Sequence, residues 1–538
     1  MNFPRLRTAG RNIAFALWRH PRRTAAARCI GEALLPRLAR NTWAARAWRL
    51  SCMLSVLAMA SFAMLFLGDR LDASGMVMTR FMATAQAPLT SVAYPETVRD
   101  QITVLTYDRE FLDATGNAWP LSYRDHADWL LRLAADPLTR PRALLVDITF
   151  GQERPDPSLP ALREALCTIQ NIYKVPVFLA ALSSPDTGRL GLRRGLETAP
   201  GALPCFTLVG VDYLPDPLDG YAWTYPLTRH LAADGWQAGP PSAPGQPAHR
   251  SAAMAIAQDV AGLDLGPETV PMALVWGLDS APQPHRPALL RDCAPGRFDP
   301  RLLVPGVIRS NFMKESPPPC PYHRTLSMAQ AGELSPQELA PYLAGRYVMV
   351  GANVPGYNDY ANSPIHRLIP GVHLHAMALD NLLTYDSDYK LSAEWTMPPS
   401  LALFVPGMIT LAIVLLVRFG AEKLLDLPMY DDGQAGRQLA SFGQRLRHVV
   451  AGAGSWLLRL AVQTLLAMIV IALLQTWFRI GLLPVVELVT MALFAEGINY
   501  MGRIRWFFFG ELPASAGGLH QAQAQDRQPS HLDTERAS

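Results

Sequence analysis

Residues 50–68 read LSCMLSVLAMASFAMLFLG, nineteen consecutive positions without a charge. A helix needs roughly 20 apolar residues to cross the hydrocarbon core of a bilayer. The run therefore predicts a membrane helix, and the rest of the chain must be apportioned to its two sides. A cleaved signal peptide is the competing reading, but the small-residue motif Ala85-Gln86-Ala87 lies far beyond the apolar run. The same criterion predicts three further transmembrane helices at 399–418, 460–478 and 482–501. Basic residues set the orientation. Residues 1–49 hold eleven arginines against one acid, Glu32, and 419–459 holds Lys423, Arg437, Arg445, Arg447 and Arg459. The turn between the last two runs has only Arg479. The expected arrangement is a multi-pass protein of the cell inner membrane with both termini cytoplasmic and residues 69–398 periplasmic. In it, 1–49 is an Arg-rich arm lying on membrane lipid, 419–459 a cytoplasmic loop and 502–538 a short disordered cytoplasmic tail.

Between the first two runs, residues 75–395 alternate apolar strands with helical patterns. Strands are expected at 102–108 (ITVLTYD), 143–150 (ALLVDITF), 175–182, 206–212, 307–313 and 346–352 (RYVMVGA), with helices near 122–135 and 158–171. Near-continuous apolar strands alternating with helices imply a sheet covered on both faces. The expected fold class is therefore an α/β extracytoplasmic domain, its sheet mixed or mostly parallel and flanked by helices, plus four transmembrane α-helices. The Pro/Gly-rich stretch 236–250 reads as a surface loop. In an oxidising compartment Cys167, Cys205, Cys293 and Cys320 can pair in three ways. Nearest-neighbour pairing is the first expectation, with the other two open.

Acidic residues lie in or at the end of several apolar strands, Asp108 after ITVLTY, Asp147 within ALLVDITF and Asp212 after FTLVGV, with Asp359 in the loop after 346–352 beside Asn353. In a parallel sheet the carboxyl ends of the strands share one edge, where such side chains converge on a ligand. The alternative is that each caps a helix or pins a loop through backbone N–H groups. His373 and His375 are spaced i, i+2, which places them on diverging sides of a helix start, and the chain has no HExxH. A structural hydrogen bond from His375 to the preceding loop is expected, and no metal site or other cofactor. Within 482–501, Glu487 and Glu496 are costly in lipid, and antiparallel packing sets Gln463 at the depth of Glu496. These three are candidate transmembrane coupling residues.

At this point the chain resembles a known family. ITVLTYD, WPLSYRDHADWLLRLA (119–134), ALLVDITF, DPLDGYAWTYPL (216–227), YVMVGANVPGYNDYANSP and PGVHLHAMALDNLL are similar to the motifs of the CHASE2 domain, an extracytoplasmic sensory module of bacterial transmembrane receptors. The matching positions are Asp108, Trp119, Pro120, Asp147, Phe150, Asp219, Gly220, Gly351, Asp359, Pro364, Gly371, His375 and Asn381. The resemblance implies a sensory domain followed by spans and a cytoplasmic output domain. Residues 515–538 are short and polar, so no output domain is expected in this chain.

Asp108, Asp147, Asp359, Asn353 and His375 are thus the candidate ligand-binding residues of a membrane-anchored sensor that hands its signal to a separate partner protein. The alternative is a structural or assembly protein of the envelope that uses the outer domain for docking. The absence of GxSxG, HExxH and GxGxxG speaks against an enzyme. A net charge of +3 speaks against nucleic acid. Expected partners are membrane lipid, an extracytoplasmic ligand, the signalling partner and, as an open alternative, a second copy of the chain.

Overall fold

Seven consecutive buried residues, Ile102–Asp108, form strand β1 at the heart of a sheet. The structure is a computed structural model. It describes residues 83–391, apart from 85–86, 185–188, 199–200, 233–234, 240–247, 267–269, 283–292, 295–300, 302–316, 355 and 358, together with isolated residues between 466 and 481. These belong to one compact unit, residues 73–410 with 462–489.

After β1 come β2 (Ala143–Val146), β3 (Val177–Ala181), β4 (Thr207–Gly210), β5 (Thr224–Tyr225), β6 (Thr228–Ala232), β7 (Gly235–Ala238), β8 (Ala248–Arg250), β9 (Met272–Ala273), β10 (Arg324–Ser327), β11 (Tyr347–Asn353), β12 (Tyr360–Ser363) and β13 (Arg367–Pro370). Six of them make one sheet in the order β10-β1-β11-β2-β3-β4, and every pairing in it is parallel. The register sets Asp108 beside Asn353 and Thr106 beside Ser327, so the carboxyl ends of β1, β11 and β10 share an edge.

The side-chain period of two splits each strand between two apolar layers. Val104, Leu145, Phe178 and Met349 belong to one core cluster and Leu105, Leu144, Leu179 and Val350 to the other. The second layer is built with helices α1 (Arg109–Thr115), α2 (Tyr123–Ala135) and α3 (Leu159–Cys167). The first contains α4 (Ala252–Asp259), and the second continues with α5 (Met328–Glu333) and α6 (Pro336–Leu343). Helix α7 (Val372–Tyr385) closes the first layer and is buried without interruption from Val372 to Leu382. It approaches β11 because Gly351 has no side chain: a Cβ there would meet Val372 Cβ at 2.6 Å.

Several sequence expectations change in detail. The 143–150 strand stops at Val146 and the 158–171 helix at Cys167, where a π-type turn, Thr168–Ile172, takes over. Strand β10 was not anticipated, because four residues with one large apolar side chain carry no readable period. The ends of the 236–250 stretch are not loop but edge strands, since β7 and β8 both pair antiparallel with β6. The 307–313 strand lies outside the described residues. Both disulfides are nearest-neighbour, Cys167–Cys205 and Cys293–Cys320.

The α/β part of the expected fold class stands, but the four transmembrane helices are corrected: among the described residues no helix is long and apolar enough to cross a membrane. The longest, α2 and α7, have 13 and 14 residues, lengths suited to covering a sheet and short of a bilayer. The segments 50–68, 399–418 and 482–501, and most of 460–478, lie outside the described residues.

Candidate functional site

Asp147 is the first residue past β2. Its N–H donates to Val350 O (2.7 Å), which holds it at the sheet's carboxyl edge. Strand alternation sends Val146 and Ile148 into the α2 layer, so Asp147 turns to the α7 side. There its Oδ1 lies 3.8 Å from His375 Nε2, while Oδ2 has no hydrogen-bond partner among the described residues. Asp147 is 6% exposed, and burial alone lifts its carboxyl to about 7.

Asp359 reaches the same place from the loop between β11 and β12. Its backbone O accepts from Gly371 N (2.9 Å) at the start of α7. Its carboxylate lies over Gly371, where a Cβ would come within 2.3 Å of Oδ1. Burial and then the negative charge of Asp147 raise its carboxyl to about 7, with His375 pulling weakly the other way. The charge of Asp147 thus makes Asp359 easier to protonate, and burial does the same for both carboxyls.

His375 sits one turn into α7, fully buried. Its Nδ1 is 2.8 Å from Tyr225 Oη. With Tyr225 donating, Nε2 carries the proton and faces Asp147 beyond hydrogen-bond reach. Burial lowers the His375 pKa to about 4, so the ring is neutral and brings no charge to offset Asp147. The expected bond from His375 to the preceding loop is replaced by this one to β5.

The other candidates fall elsewhere. Asp108 Oδ1 caps α1 by accepting from Phe111 N (2.9 Å) and also accepts from Ser327 Oγ (2.7 Å), a structural tie between β1, α1 and β10. Burial raises its pKa against those two donors. Asn353 Oδ1 accepts from Tyr360 Oη (3.0 Å). Asp212 accepts from Ser183 N and Oγ and faces Arg229 at 3.6 Å. Asp219 caps Tyr221 N and the Trp223 indole. Asn381 bridges α7 to Val275 through both its amide atoms. His373 has no partner for either ring nitrogen; burial lowers its pKa to about 3, with His323 and His366 adding to that. Among the described residues no three of His, Cys, Asp and Glu are grouped to hold a metal ion. Glu487, Glu496 and Gln463 lie outside the described residues.

Sequence reasoning missed the aromatic lining. Tyr225 lies on a two-residue strand, too short for any periodic signal. Tyr357, half-buried, is bonded to Thr149 and feels both Asp359 and Asp147. Its ring packs against Trp119 with centroids 5.5 Å apart.

It also missed what sits in the second half of α7, at Asp380, roughly 8 Å of helix rise beyond His375. Asp380, with no exposed surface, accepts from Tyr94 Oη (2.6 Å) and faces His323 Nε2 at 3.0 Å. Beyond the helix, Leu391 exchanges backbone bonds with the 479–481 segment: Leu391 N donates to Arg479 O (2.8 Å) and Gly481 N to Leu391 O (2.6 Å). Helix α7 thus runs from the two carboxylates to Tyr94, and the chain just beyond it reaches Arg479 and Gly481.

A family model described as the CHASE2 domain matches residues 54–431. No curated protein and no solved structure matches the chain.

Proposed function

The chain belongs to the CHASE2 domain family, whose domains are extracytoplasmic and sensory, and from that premise we propose that its α/β domain is the input half of a signalling pair. The carboxyl edge of the sheet, at Asp147, Asp359 and His375, receives the stimulus. Helix α7 carries the change to its far end, and a separate partner protein supplies the output. The role is that of a receptor and not of a catalyst. The observation that carries this reading is α7 itself, which begins under Asp359 at Gly371 and in its second half is tied to Tyr94 through Asp380, with Leu391 of the chain that follows it bonded to Arg479 and Gly481. A stimulus that moves Asp359 or His375 has one rigid element through which to act. The two disulfides suit a periplasmic setting, where thiols are oxidised.

The test is isolation of the tagged full-length chain from its native cells under gentle conditions. A companion with a kinase, cyclase or other output domain is expected in stoichiometric amount, with its activity altered by Asp359→Asn. Isolation of the intact chain with no such companion overturns the hand-off.

A further inference from the structure

Past the strand ends an aromatic group from the α2 layer meets the two carboxylates at Tyr357. Tyr107 on β1 packs against Trp119 (6.1 Å) and His126 of α2 (5.4 Å). His126 packs against Phe150 (5.3 Å) and Trp119 (6.1 Å), and Trp119 packs in turn against Tyr357 (5.5 Å). Tyr107, His126 and Phe150 are buried, whereas Trp119 and Tyr357 are half-buried and stand on the surface side. Tyr107 Oη and His126 Nδ1 have no hydrogen-bond partner. Tyr357 belongs to both halves, through its ring to Trp119 and through its hydroxyl to the field of Asp359 and Asp147.

From this geometry we infer that the edge binds an organic ammonium group, its charge met by Asp147 and Asp359 and its alkyl shell by the faces of Trp119 and Tyr357. The inference rests on the sensor reading above and names the chemistry of its ligand. Asp147 Oδ2 is nine-tenths buried and unpartnered, an acceptor awaiting a donor or a cation. His375 is the nearest basic group and is neutral, while Arg229 is turned to Asp212. The nearest cation on the aromatic side, Arg154, is bound to Leu121 O and stacked on Tyr123, beside Asp156. Among the described residues an anion would meet two carboxylates and no cation that is not already engaged. A divalent metal would want more oxygen ligands than two aspartates provide. A soft, weakly hydrated organic cation suits both lining types, because ring faces attract it and cost it little desolvation.

The experiment is calorimetric titration of the purified full-length chain at pH 8 with tetramethylammonium chloride, against potassium chloride at equal ionic strength. Saturable binding of tetramethylammonium alone is expected, weakened about tenfold or more in Asp359→Asn and in Trp119→Leu, with unchanged far-ultraviolet circular dichroism. Should a variant fail to fold, the wild-type protein still decides: affinity must fall as pH drops through the carboxyl titration near 7. No saturable heat, equal binding of potassium, or binding indifferent to pH each overturn the inference. Its failure is separate from that of the hand-off, since ammonium binding stands or falls without a companion protein.

Discussion

Asp359 and Gly371 are in contact that leaves no room for a side chain: Asp359 Oδ1 lies where the Gly371 Cβ would be, at 2.3 Å, while Gly371 N donates to Asp359 O. The pair locks the β11–β12 loop onto the first residue of α7. It explains why a carboxylate far from α7 in the fold's connectivity shares a site with His375.

Gly371→Ala is therefore expected to expel the Asp359 side chain or shift the start of α7, costing about 1–3 kcal/mol by analogy with overpacked positions. Urea denaturation followed by circular dichroism measures it. A variant as stable as the wild type, with Asp359 still titrating near 7, contradicts the contact.

Asp147 gives a pH signature. Its folded carboxyl is raised to about 7 from the ordinary 3.8, so between those values the folded state holds a proton that the unfolded state has lost. That contribution to stability is fully present below about pH 4 and is lost as pH rises through 7. Asp147→Asn should accordingly match the wild type near pH 4 and exceed it at pH 8, by roughly 1–3 kcal/mol after the cost of an imperfectly bonded amide. Stability curves of the two proteins at several pH values check the sign; a gain that grows toward low pH would refute it.

Tyr94→Phe removes the hydroxyl donated to Asp380 and leaves a fully buried carboxylate with one partner fewer, at a cost of roughly 1.5–3 kcal/mol. Asp380→Ala should cost more, about 3–5 kcal/mol, because it strips His323 and Tyr94 of their acceptor together. A double-mutant cycle on thermal or urea stability separates the pair term; additive losses would mean that Tyr94 does not act through Asp380.

The Cys167–Cys205 bridge closes 38 residues between the end of α3 and the approach to β4. Replacing both cysteines by serine should cost about 2–4 kcal/mol. The comparison is made on oxidised protein, with non-reducing peptide mapping to verify the pairing. Recovery of a Cys167–Cys293 or Cys167–Cys320 peptide instead would refute the assignment.

Much of the scaffold was legible because β2, β3 and β11 are almost wholly apolar and β1 is interrupted only by Thr103, Thr106 and Asp108, the pattern of strands covered on both faces. The same reading brought Asp147 and Asp359 to one edge. It also grouped Asp108 with them, but Asp108 is followed at once by α1, and its Oδ1 is taken by Phe111 N–H and Ser327 Oγ. Alternation along β2 sends Asp147 to the opposite face, beside the first turn of α7.

By itself the sequence determined the layered α/β core and the family motifs, since both follow from local composition and period. The tertiary structure decided which of the candidate acids meet. Only packing brings Tyr225, His375 and Asp359 around Asp147, from a two-residue strand, a helix and a loop. Only a dry interior raises two carboxyls to about 7, because desolvation depends on what surrounds a group in space and not on its neighbours along the chain.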